Sequence, residues 1–287
     1  MNYSETYKEL FQGRLFIIKA SGRIITDQDA RENLIETIKD LTEDGINVLF
    51  IYGGGEAIDV AMGEADLTPL KVDGRRISSE EDIKIIKRTL VGDLGFKLSE
   101  TMVKKDMSST ILNAIPPHWT KAKRRPPHNN IERFDGTLID IQDKEIRKHF
   151  GPTNLAICPC IAFTNEGTAL NINADNVAIE IAIETKAEKL ILMTNIDGVM
   201  VNNELQSVLS AKEIEQLIKD GIVTGGMQVK LENAIHALRS GVQRVHILNG
   251  LRKNSLREEI YTSKGIGTMI VRHNEKENYL QTEMKGS

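Results

Sequence analysis

Residues 48–55 read Val48-Leu49-Phe50-Ile51-Tyr52-Gly53-Gly54-Gly55, an apolar run that ends in three consecutive glycines. A short run that is apolar throughout is typical of a strand buried on both faces of a sheet. The glycines mark the end of this strand, and a helix is predicted from about Glu56. A strand, a short glycine turn and a helix form the unit from which parallel sheets are built.

The same unit recurs along the chain. Residues 15–19 predict a strand that stops at Ser21 and Gly22, and residues 27–44 predict a helix that Asp27 or Asp29 caps and Gly45 ends. The other predicted elements are a long helix over residues 80–102, a strand over 155–163 with a turn at 165–167, a helix over 176–185, and strands over 189–193 and 245–248. The fold class is therefore α/β, with a mainly parallel sheet covered on both faces.

Composition excludes several classes of protein. The chain has 287 residues, of which 40% are hydrophobic and 27% charged, so it can bury a sizeable core as one large domain or two lobes. Its net charge of -4 gives no basic field for nucleic acid or an anionic membrane. No apolar run approaches the roughly 18 residues that span a bilayer. The first residues lack the pattern of a secretory signal, and two cysteines provide no disulfide framework, so we expect a cytoplasmic setting.

Residues 115–134 differ from the rest of the chain. They contain two Pro-Pro pairs, a basic cluster at 121–125 and the single tryptophan, Trp119. A solvated, mobile loop or hairpin with a charged face is the simpler interpretation, because long loops usually run over the surface. The alternative is a lid over an anionic ligand. A basic cluster this short, in an acidic chain, does not indicate nucleic acid binding.

The glycines at 53–55 allow either a tight structural turn or an anion site, because backbone N–H groups and the next helix N-terminus both favour negative charge. Two familiar phosphate loops are excluded. Ile58 stands where a dinucleotide fingerprint needs its last glycine, and no Walker sequence occurs in the chain.

Charged residues also lie next to other predicted strand ends, glycine turns and helix starts. Lys19 ends the first predicted strand, where it either faces a crevice or is solvated. Lys230 follows a second glycine pair at 225–226. Asp175 precedes a predicted helix and, taken alone, is more simply a helix N-cap. Residues 194–198 follow an apolar strand and, taken alone, are a turn.

Taken together, these stretches resemble the amino-acid kinase family and, within it, the N-acetylglutamate kinases. The stretches are Lys19-Ala20-Ser21-Gly22, Tyr52-Gly53-Gly54-Gly55, Val72-Asp73-Gly74-Arg75-Arg76-Ile77, Leu170-Asn171-Ile172-Asn173-Ala174-Asp175, Thr194-Asn195-Ile196-Asp197-Gly198, Gly225-Gly226-Met227-Gln228-Val229-Lys230 and Gly265-Ile266-Gly267-Thr268-Met269. They occur in the family's order. The match is strong over residues 150–270, fair over 14–80 and poor over about 92–135.

The resemblance implies a three-layer α/β sandwich of the carbamate kinase-like fold. An N-terminal lobe, residues 1–185, would bind the acid and form a homodimer, and a C-terminal lobe, residues 186–287, would bind ATP. The implied reaction moves the γ-phosphoryl group of ATP to the side-chain carboxylate of N-acetyl-L-glutamate, a step of arginine biosynthesis. Mg²⁺ would be carried by the phosphates, with no metal site in the protein and no nucleic acid or membrane partner.

The resemblance also implies roles for individual residues. The catalytic residues would be Lys19, Lys230 and Asp175, with Asp175 holding both lysines. The acid would be bound by Gly54, Gly55, Arg76 and Asn171. ATP would be bound by Gly22, Asn195, Asp197, Gly198, Thr224, Gly226 and Met227. No general base is expected, because a glutamyl carboxylate with a pKa of about 4.3 is already ionised at neutral pH.

The chain departs from the family pattern at several positions. Ser21 replaces a glycine, Tyr52 a histidine and Asn195 an aspartate, and the hairpin that covers the substrate is not recognisable. Two alternatives therefore stay open: a kinase of the same fold acting on another acid, such as a carrier-linked aminoadipate, and a non-catalytic module that binds arginine or acetylglutamate.

Two further expectations concern single stretches. Residues 258–262 resemble the C-terminal stretch of arginine-inhibited members, so inhibition by arginine is a hypothesis. Cys158 and Cys160 lie in an apolar strand without a second cysteine pair, so we expect them to be structural.

Overall fold

The computed structural model describes residues 3–72, 75–150, 153–262 and 265–282. Asp73 and Gly74 of the predicted motif at 72–77 lie outside the described residues. The strands are β1 (Leu15–Ala20), β2 (Asn47–Tyr52), β3 (Leu70–Val72), β4 (Arg75–Ile77), β5 (Thr110–Ile111), β6 (Thr120–Arg124), β7 (Gly136–Ile141), β8 (Leu155–Pro159), β9 (Ile161–Phe163), β10 (Ala169–Asn171), β11 (Lys189–Thr194), β12 (Met200–Val201), β13 (Glu204–Leu205), β14 (Val208–Ser210), β15 (Arg244–Asn249) and β16 (Thr268–Val271). The helices are α1 (Tyr3–Phe11), α2 (Gly22–Thr26), α3 (Gln28–Glu43), α4 (Gly55–Glu64), α5 (Glu80–Lys87), α6 (Gly95–Lys104), α7 (Asp143–Arg147), α8 (Ala174–Glu184), α9 (Ala211–Lys219), α10 (Gly225–Arg239), α11 (Ser255–Tyr261) and α12 (His273–Thr282).

A central sheet of eight strands runs in the order β14-β16-β15-β11-β1-β2-β8-β5. All of its neighbours pair in parallel except β15 and β16. The prediction of a mainly parallel sheet is therefore confirmed. β2 lies on one side of β1 and β11 on the other, so the connections that leave β1 and β11 diverge at the carboxyl ends of the strands. Ligands of open α/β sheets bind at such a point.

Each face of the sheet carries its own apolar core. Successive side chains of a strand point to opposite faces, so Leu15 and Ile17 of β1 join one core and Phe16 and Ile18 join the other. Helices α8 and α10 cover the first face, and α3, α5 and α6 cover the second. These layers form the predicted three-layer sandwich.

The predicted helix at 27–44 is confirmed, and its cap is resolved. The carboxylate of Asp27 accepts a hydrogen bond of 2.9 Å from the backbone N–H of Ala30, so Asp27 is the N-cap. Gly45 follows the helix with a φ of +79°, a left-handed conformation that glycine adopts without strain.

Two predicted elements are interrupted. The helix predicted at 80–102 contains a π-helical segment, Arg88–Leu94, between α5 and α6, and the Tyr52 hydroxyl donates a hydrogen bond of 3.1 Å to the carbonyl of Leu90 within it. The prediction of a single strand over 155–163 is wrong. Two strands occupy this range and separate at Cys160: β8 lies in the central sheet, and β9 pairs with β10.

The segment at 115–134 contains a hairpin strand rather than a mobile loop. β6 pairs with β7 in an antiparallel ladder, with a register shift between Lys121 and Ala122. The expected hairpin with an exposed charged face is therefore confirmed, as Lys121 and Lys123 are exposed. Trp119, however, is fully buried in the core of the first face, so this part of the segment is not solvated. Burial of this indole fixes the hairpin against the body of the protein.

The predicted lobe boundary at 185/186 falls between α8 and β11. The sheet crosses this boundary without a break, because β11 pairs with β1. Two lobes thus share one sheet, and their division by function stays a prediction. Within the described ranges, no helix has both the length and the apolar character needed to cross a membrane.

Candidate active site

A cavity of about 390 Å³ opens at the carboxyl ends of β1 and β2. Eight of the predicted site residues line it: Lys19, Gly22, Gly54, Gly55, Arg76, Asn171, Asp175 and Asn195. They come from stretches that are far apart in the sequence, and the parallel sheet brings their strand ends to one edge.

Three charged side chains meet at one end of this cavity. The Nζ atom of Lys19 lies 2.7 Å from Oδ1 of Asp175, and Nζ of Lys230 lies 2.8 Å from Oδ2. Each ammonium therefore has its own carboxylate oxygen. Asp175 carries one negative charge between two positive ones, so the group keeps a net charge of +1.

Local structure explains why these side chains meet. Lys19 is at the carboxyl end of β1, Asp175 lies in the first turn of α8, and Lys230 is in α10. The N-cap of α8 is Asn173, whose side chain accepts a hydrogen bond from the N–H of Asn176. The interpretation of Asp175 as an N-cap is therefore wrong, because its oxygens face the two lysines.

The charge state of the group follows from its contacts. Burial alone would raise the pKa of Asp175, but Lys19 and Lys230 hold that pKa well below its usual range. Asp175 is thus ionised at neutral pH, and it fixes the positions of the two ammonium groups.

The glycine turns bring the backbone close to the cavity. A Cβ atom on Gly22 would lie 2.8 Å from the carbonyl carbon of Gly54 and 2.9 Å from the carbonyl oxygen of Gly53, so only glycine fits there. Ser21, which replaces a family glycine, has an ordinary φ of −72°. The serine therefore fits this turn without strain.

The predicted acid-binding side chains have neighbours of their own. Arg76 donates to the carboxylate of Asp59 and, over 3.0 Å, to the sulfur of Met62. Asn171 donates to the hydroxyl of Ser78 over 3.2 Å. Both side chains line the cavity, and these contacts hold their orientation.

Sequence reasoning missed six charged residues that line the cavity: Arg23, Glu56, Lys71, Arg75, Arg125 and Asp135. Arg75 was quoted within the motif at 72–77, and Arg125 ends the basic cluster at 121–125. The lid interpretation of that cluster was the available signal. The lid interpretation points to the correct segment, but it does not identify Arg125 as the residue of the cluster that lines the cavity.

The other predicted nucleotide-binding residues do not line this cavity. The carboxylate of Asp197 accepts a hydrogen bond from Asn249, and Gly198 lies against Thr268. Thr224 is the N-cap of α10, and Gly226 and Met227 lie in its first turn, one turn before Lys230. Thr224, Gly226 and Met227 are therefore connected to the charged group through α10, whereas Asp197 and Gly198 follow β11.

The two cysteines are buried in β8 and next to it. Burial raises the pKa of Cys158 to about 12 and also raises the pKa of Cys160. The Cys160 thiol contacts the carbonyl oxygen of Tyr52 at 3.2 Å. Both thiols are therefore protonated and unreactive, in keeping with the structural role expected of them.

Comparison with known proteins places the chain in a family. The family model described as "Amino acid kinase family" matches residues 14–249. The chain belongs to the amino acid kinase family. An acetylglutamate kinase from Kosmotoga olearia is 34% identical over 92% of this chain and 93% of its own length. An acetylglutamate kinase from Methanocaldococcus jannaschii is 33% identical over 91% of this chain and 92% of its own length.

Solved structures show the same fold at lower identity. An N-acetylglutamate synthase from Neisseria gonorrhoeae, complexed with coenzyme A and N-acetyl-glutamate, matches 94% of this chain with a TM-score of 0.85 and 22% identity. The match covers 62% of the synthase chain. A carbamate kinase from Giardia lamblia bound to AMP-PNP matches 90% of this chain and 98% of its own, with a TM-score of 0.61 and 15% identity. The family fold predicted from the sequence is therefore confirmed.

Proposed function

We propose that this protein is an ATP-dependent kinase that phosphorylates the side-chain carboxylate of N-acetyl-L-glutamate to give an acyl phosphate, in arginine biosynthesis. The observation that carries this proposal is the group formed by Lys19, Asp175 and Lys230 in an amino acid kinase fold, in which Lys19 and Asp175 line the cavity. Relatives named acetylglutamate kinase align with nearly the whole chain.

The chemistry needs positive charge rather than a base. The acceptor carboxylate is already ionised, so one of its oxygens attacks the γ-phosphorus directly as the bond to the β-γ bridging oxygen breaks, and ADP leaves. The obstacle is the approach of two anions. Lys19 would stabilise charge on the transferring phosphoryl group, and Lys230 would do so from the nucleotide side.

The remaining residues would bind and orient the two substrates. Gly54, Gly55, Arg76 and Asn171 are the proposed acid-binding residues. Gly22, Asn195, Asp197, Gly198, Thr224, Gly226 and Met227 are the proposed ATP-binding residues. The lobe division at 185/186 accords with this assignment, since most of the acid site precedes it and most of the nucleotide site follows it.

Mg²⁺ would enter with ATP. Both oxygens of Asp175 are engaged by ammonium groups, and in the described ranges no three His, Cys, Asp or Glu side chains form a group that could hold a metal ion. This donor set fits an ion held by phosphate oxygens and water. When bound, Mg²⁺ would neutralise part of the phosphate charge.

We also propose a homodimer formed through the N-terminal lobe. Phe96 and Val103 are 69% and 77% exposed, and they lie seven residues apart on one face of α6. Exposed apolar side chains grouped on one helix face are typical of a protein interface.

The proposal is tested by ADP release from Mg-ATP with a panel of acids. The panel contains N-acetyl-L-glutamate, N-acetyl-L-aspartate, N-acetyl-α-aminoadipate, free glutamate and no acid. We expect turnover with acetylglutamate well above that with every other acid. Turnover with a different acid would identify a kinase of other specificity. ATP binding without turnover on any acid would favour a regulatory module.

A further inference from the structure

Two histidines face each other on the surface, outside the candidate active site. Nε2 of His118 lies 3.1 Å from Nε2 of His149, although 31 positions separate the two residues in the sequence. Neither residue lines the cavity that Lys19 and Asp175 border. His118 is exposed and His149 is half-buried, so a small solute can reach the two ring nitrogens from solvent. The proposed kinase reaction makes no use of this pair.

The position of His118 is fixed by a turn. The N–H of Trp119 donates to the carbonyl of Pro116 over 2.9 Å, and Pro117 and His118 are the central residues of this turn. Proline at the first central position already has the backbone conformation that the turn needs. Trp119, the next residue, is fully buried and anchors the turn in the core of the first face. A rigid segment therefore presents His118 at the surface.

His149 is attached to the same core. It lies in the short 3₁₀ segment Lys148–Phe150 that follows α7. Ile146 before it and Phe150 after it are buried in the core that contains Trp119. The His149 ring also packs edge-on against the Trp119 ring, with 4.9 Å between the ring centres. The fold therefore sets the separation of the two imidazoles.

This separation suits a transition-metal ion. Two ligands at about 2.0–2.1 Å from a tetrahedral ion lie about 3.3 Å apart, and neighbouring ligands of a square-planar or octahedral ion lie about 2.9 Å apart. The observed distance of 3.1 Å between the nitrogens falls between these two values. Small ring movements therefore reach either geometry. Imidazole nitrogen is a preferred ligand of Zn²⁺, Ni²⁺ and Cu²⁺, whereas Mg²⁺ prefers oxygen.

The protons of the pair leave room for such an ion. In the structure, one Nε2 atom donates a hydrogen bond to the other. When each neutral ring carries its proton on Nδ1 instead, both Nε2 lone pairs are available, and no proton has to leave. The carboxylate of Glu145 interacts with the charges of both rings and pairs with Lys148, so the positive charge of this lysine is offset beside the pair.

We infer that His118 and His149 form a binding site for one divalent transition-metal ion of the Zn²⁺ class, with water in its remaining coordination positions. Two protein ligands are fewer than the four of a closed structural zinc site, so the ion binds reversibly. It would link the segment before β6 to the turn after α7, and so close the part of the chain that contains the basic hairpin. The inference does not depend on the proposed function.

The test is a calorimetric titration of Zn²⁺ into the chain, without a histidine tag and without ATP. We expect one Zn²⁺ per chain. His118→Ala and His149→Ala should each weaken binding by at least about 10-fold, since loss of even an outer partner of a metal site costs about 10- to 100-fold. His273→Ala is the matched control, because His273 is an exposed histidine in α12 and should not contribute. Excess Mg²⁺ should leave Zn²⁺ binding unchanged.

Fluorescence gives a second readout at the site itself. Trp119 is the single tryptophan, and its ring lies next to that of His149. Bound Ni²⁺, an open-shell ion, should therefore quench the emission of Trp119, and a chelator should restore it. His118→Ala and His149→Ala should lose this quenching, and His273→Ala should keep it, with circular dichroism as the check that each variant is folded.

Three results would overturn the inference. The first is wild-type protein that binds no Zn²⁺. The second is undiminished Zn²⁺ binding in either His118→Ala or His149→Ala, because the site needs both nitrogens. The third is wild-type protein that binds Ni²⁺ while the emission of Trp119 stays unchanged, because the ion would then lie elsewhere. The first and third need no variant, so a variant that fails to fold does not weaken the test.

Discussion

At the scale of single residues, Asp175 is the part of the site on which the others depend. It holds two ammonium groups at fixed positions, and its single negative charge neutralises only one of their two positive charges. A carboxylate that orients cations in advance removes the need for them to reorganise during the reaction.

Asp175→Asn is predicted to lower kcat by about 100- to 1,000-fold, the usual effect of losing a preorganised electrostatic contact. The amide keeps the shape of the side chain but can accept from only one lysine. Steady-state kinetics with Mg-ATP and acetylglutamate measures the change, and thermal unfolding checks that the fold is kept. Retention of wild-type kcat would mean that the two lysines need no anchor.

Gly22→Ala tests the contact between the two turns. The added methyl would lie within 3 Å of the backbone of Gly53 and Gly54, so the turn that follows Lys19 must move. A displacement of about 1 Å at a reacting group costs roughly 100-fold in rate. Gly63→Ala is the matched control, because Gly63 lies in α4 outside the cavity lining and a Cβ there meets nothing within 4 Å. A similar kcat in the two variants would contradict this explanation.

At the scale of elements, a buried carboxylate ties α11 to β15 and to the segment that precedes β16. The carboxylate of Glu259 accepts hydrogen bonds of 2.8 Å from the N–H groups of Ile266 and Gly267, and it lies 2.8 Å from Nδ1 of His246. Burial opposes its ionisation, but these partners hold the pKa of Glu259 below its ordinary value of 4.5.

Glu259→Gln is predicted to lower the free energy of unfolding by about 1–3 kcal/mol at neutral pH, because a charge-accepting group in a buried network is lost. A carboxylate with a lowered pKa stabilises the fold above its unfolded pKa, and that contribution is lost as pH falls through the folded value. Denaturant unfolding followed from pH 7 to about pH 2 should therefore show a constant difference down to about pH 4.5 and the two proteins converging below that pH. A difference that stays constant down to about pH 2 would show that ionisation of Glu259 contributes nothing.

Sequence periodicity predicted most elements but not their interruptions. The apolar residues Ile86, Leu90, Leu94 and Leu98 recur every four residues, and in a regular α-helix such steps drift by about 40° each. The π-helical segment absorbs that drift and keeps all four on the buried face. In the divided strand, Pro159 was the available signal, because proline cannot donate to a continuing ladder.

The hairpin was predicted less well, for a physical reason. Thr120 and Ala122 are buried while Lys121 and Lys123 are exposed, an alternation that is typical of a strand. Adjacent prolines and charges obscured that signal. The place of Arg125 depends on the approach of β4, which is distant in sequence, so no local pattern contains it.

At the scale of the whole molecule, the shared sheet brings residues from distant stretches to the edge where β1 and β2 end, and these include the proposed acid-binding residues. Because β11 pairs with β1, the chain on both sides of the proposed lobe boundary contributes to this one sheet. The family motifs predicted this assembly from the sequence, while the apolar surface of α6 became visible only in three dimensions.

Phe96→Asp is predicted to convert a dimer to a monomer, because a charge placed at the centre of an apolar interface would be buried without a partner. Light scattering on the eluting protein measures the mass. Lys97→Gln, a polar change at an exposed position about 100° around the same helix from Phe96, is the control and should stay dimeric. A wild-type protein that is already monomeric would refute the proposed dimer.

The most direct test of the proposed reaction is capture of its product. Wild-type protein is incubated with Mg-ATP, N-acetyl-L-glutamate and hydroxylamine, and the hydroxamate is identified by mass spectrometry. We predict a hydroxamate on the side-chain carboxylate, formed in step with ADP, and a loss of both in Asp175→Asn. ADP released without any hydroxamate, or a hydroxamate formed equally well by Asp175→Asn, would contradict the mechanism.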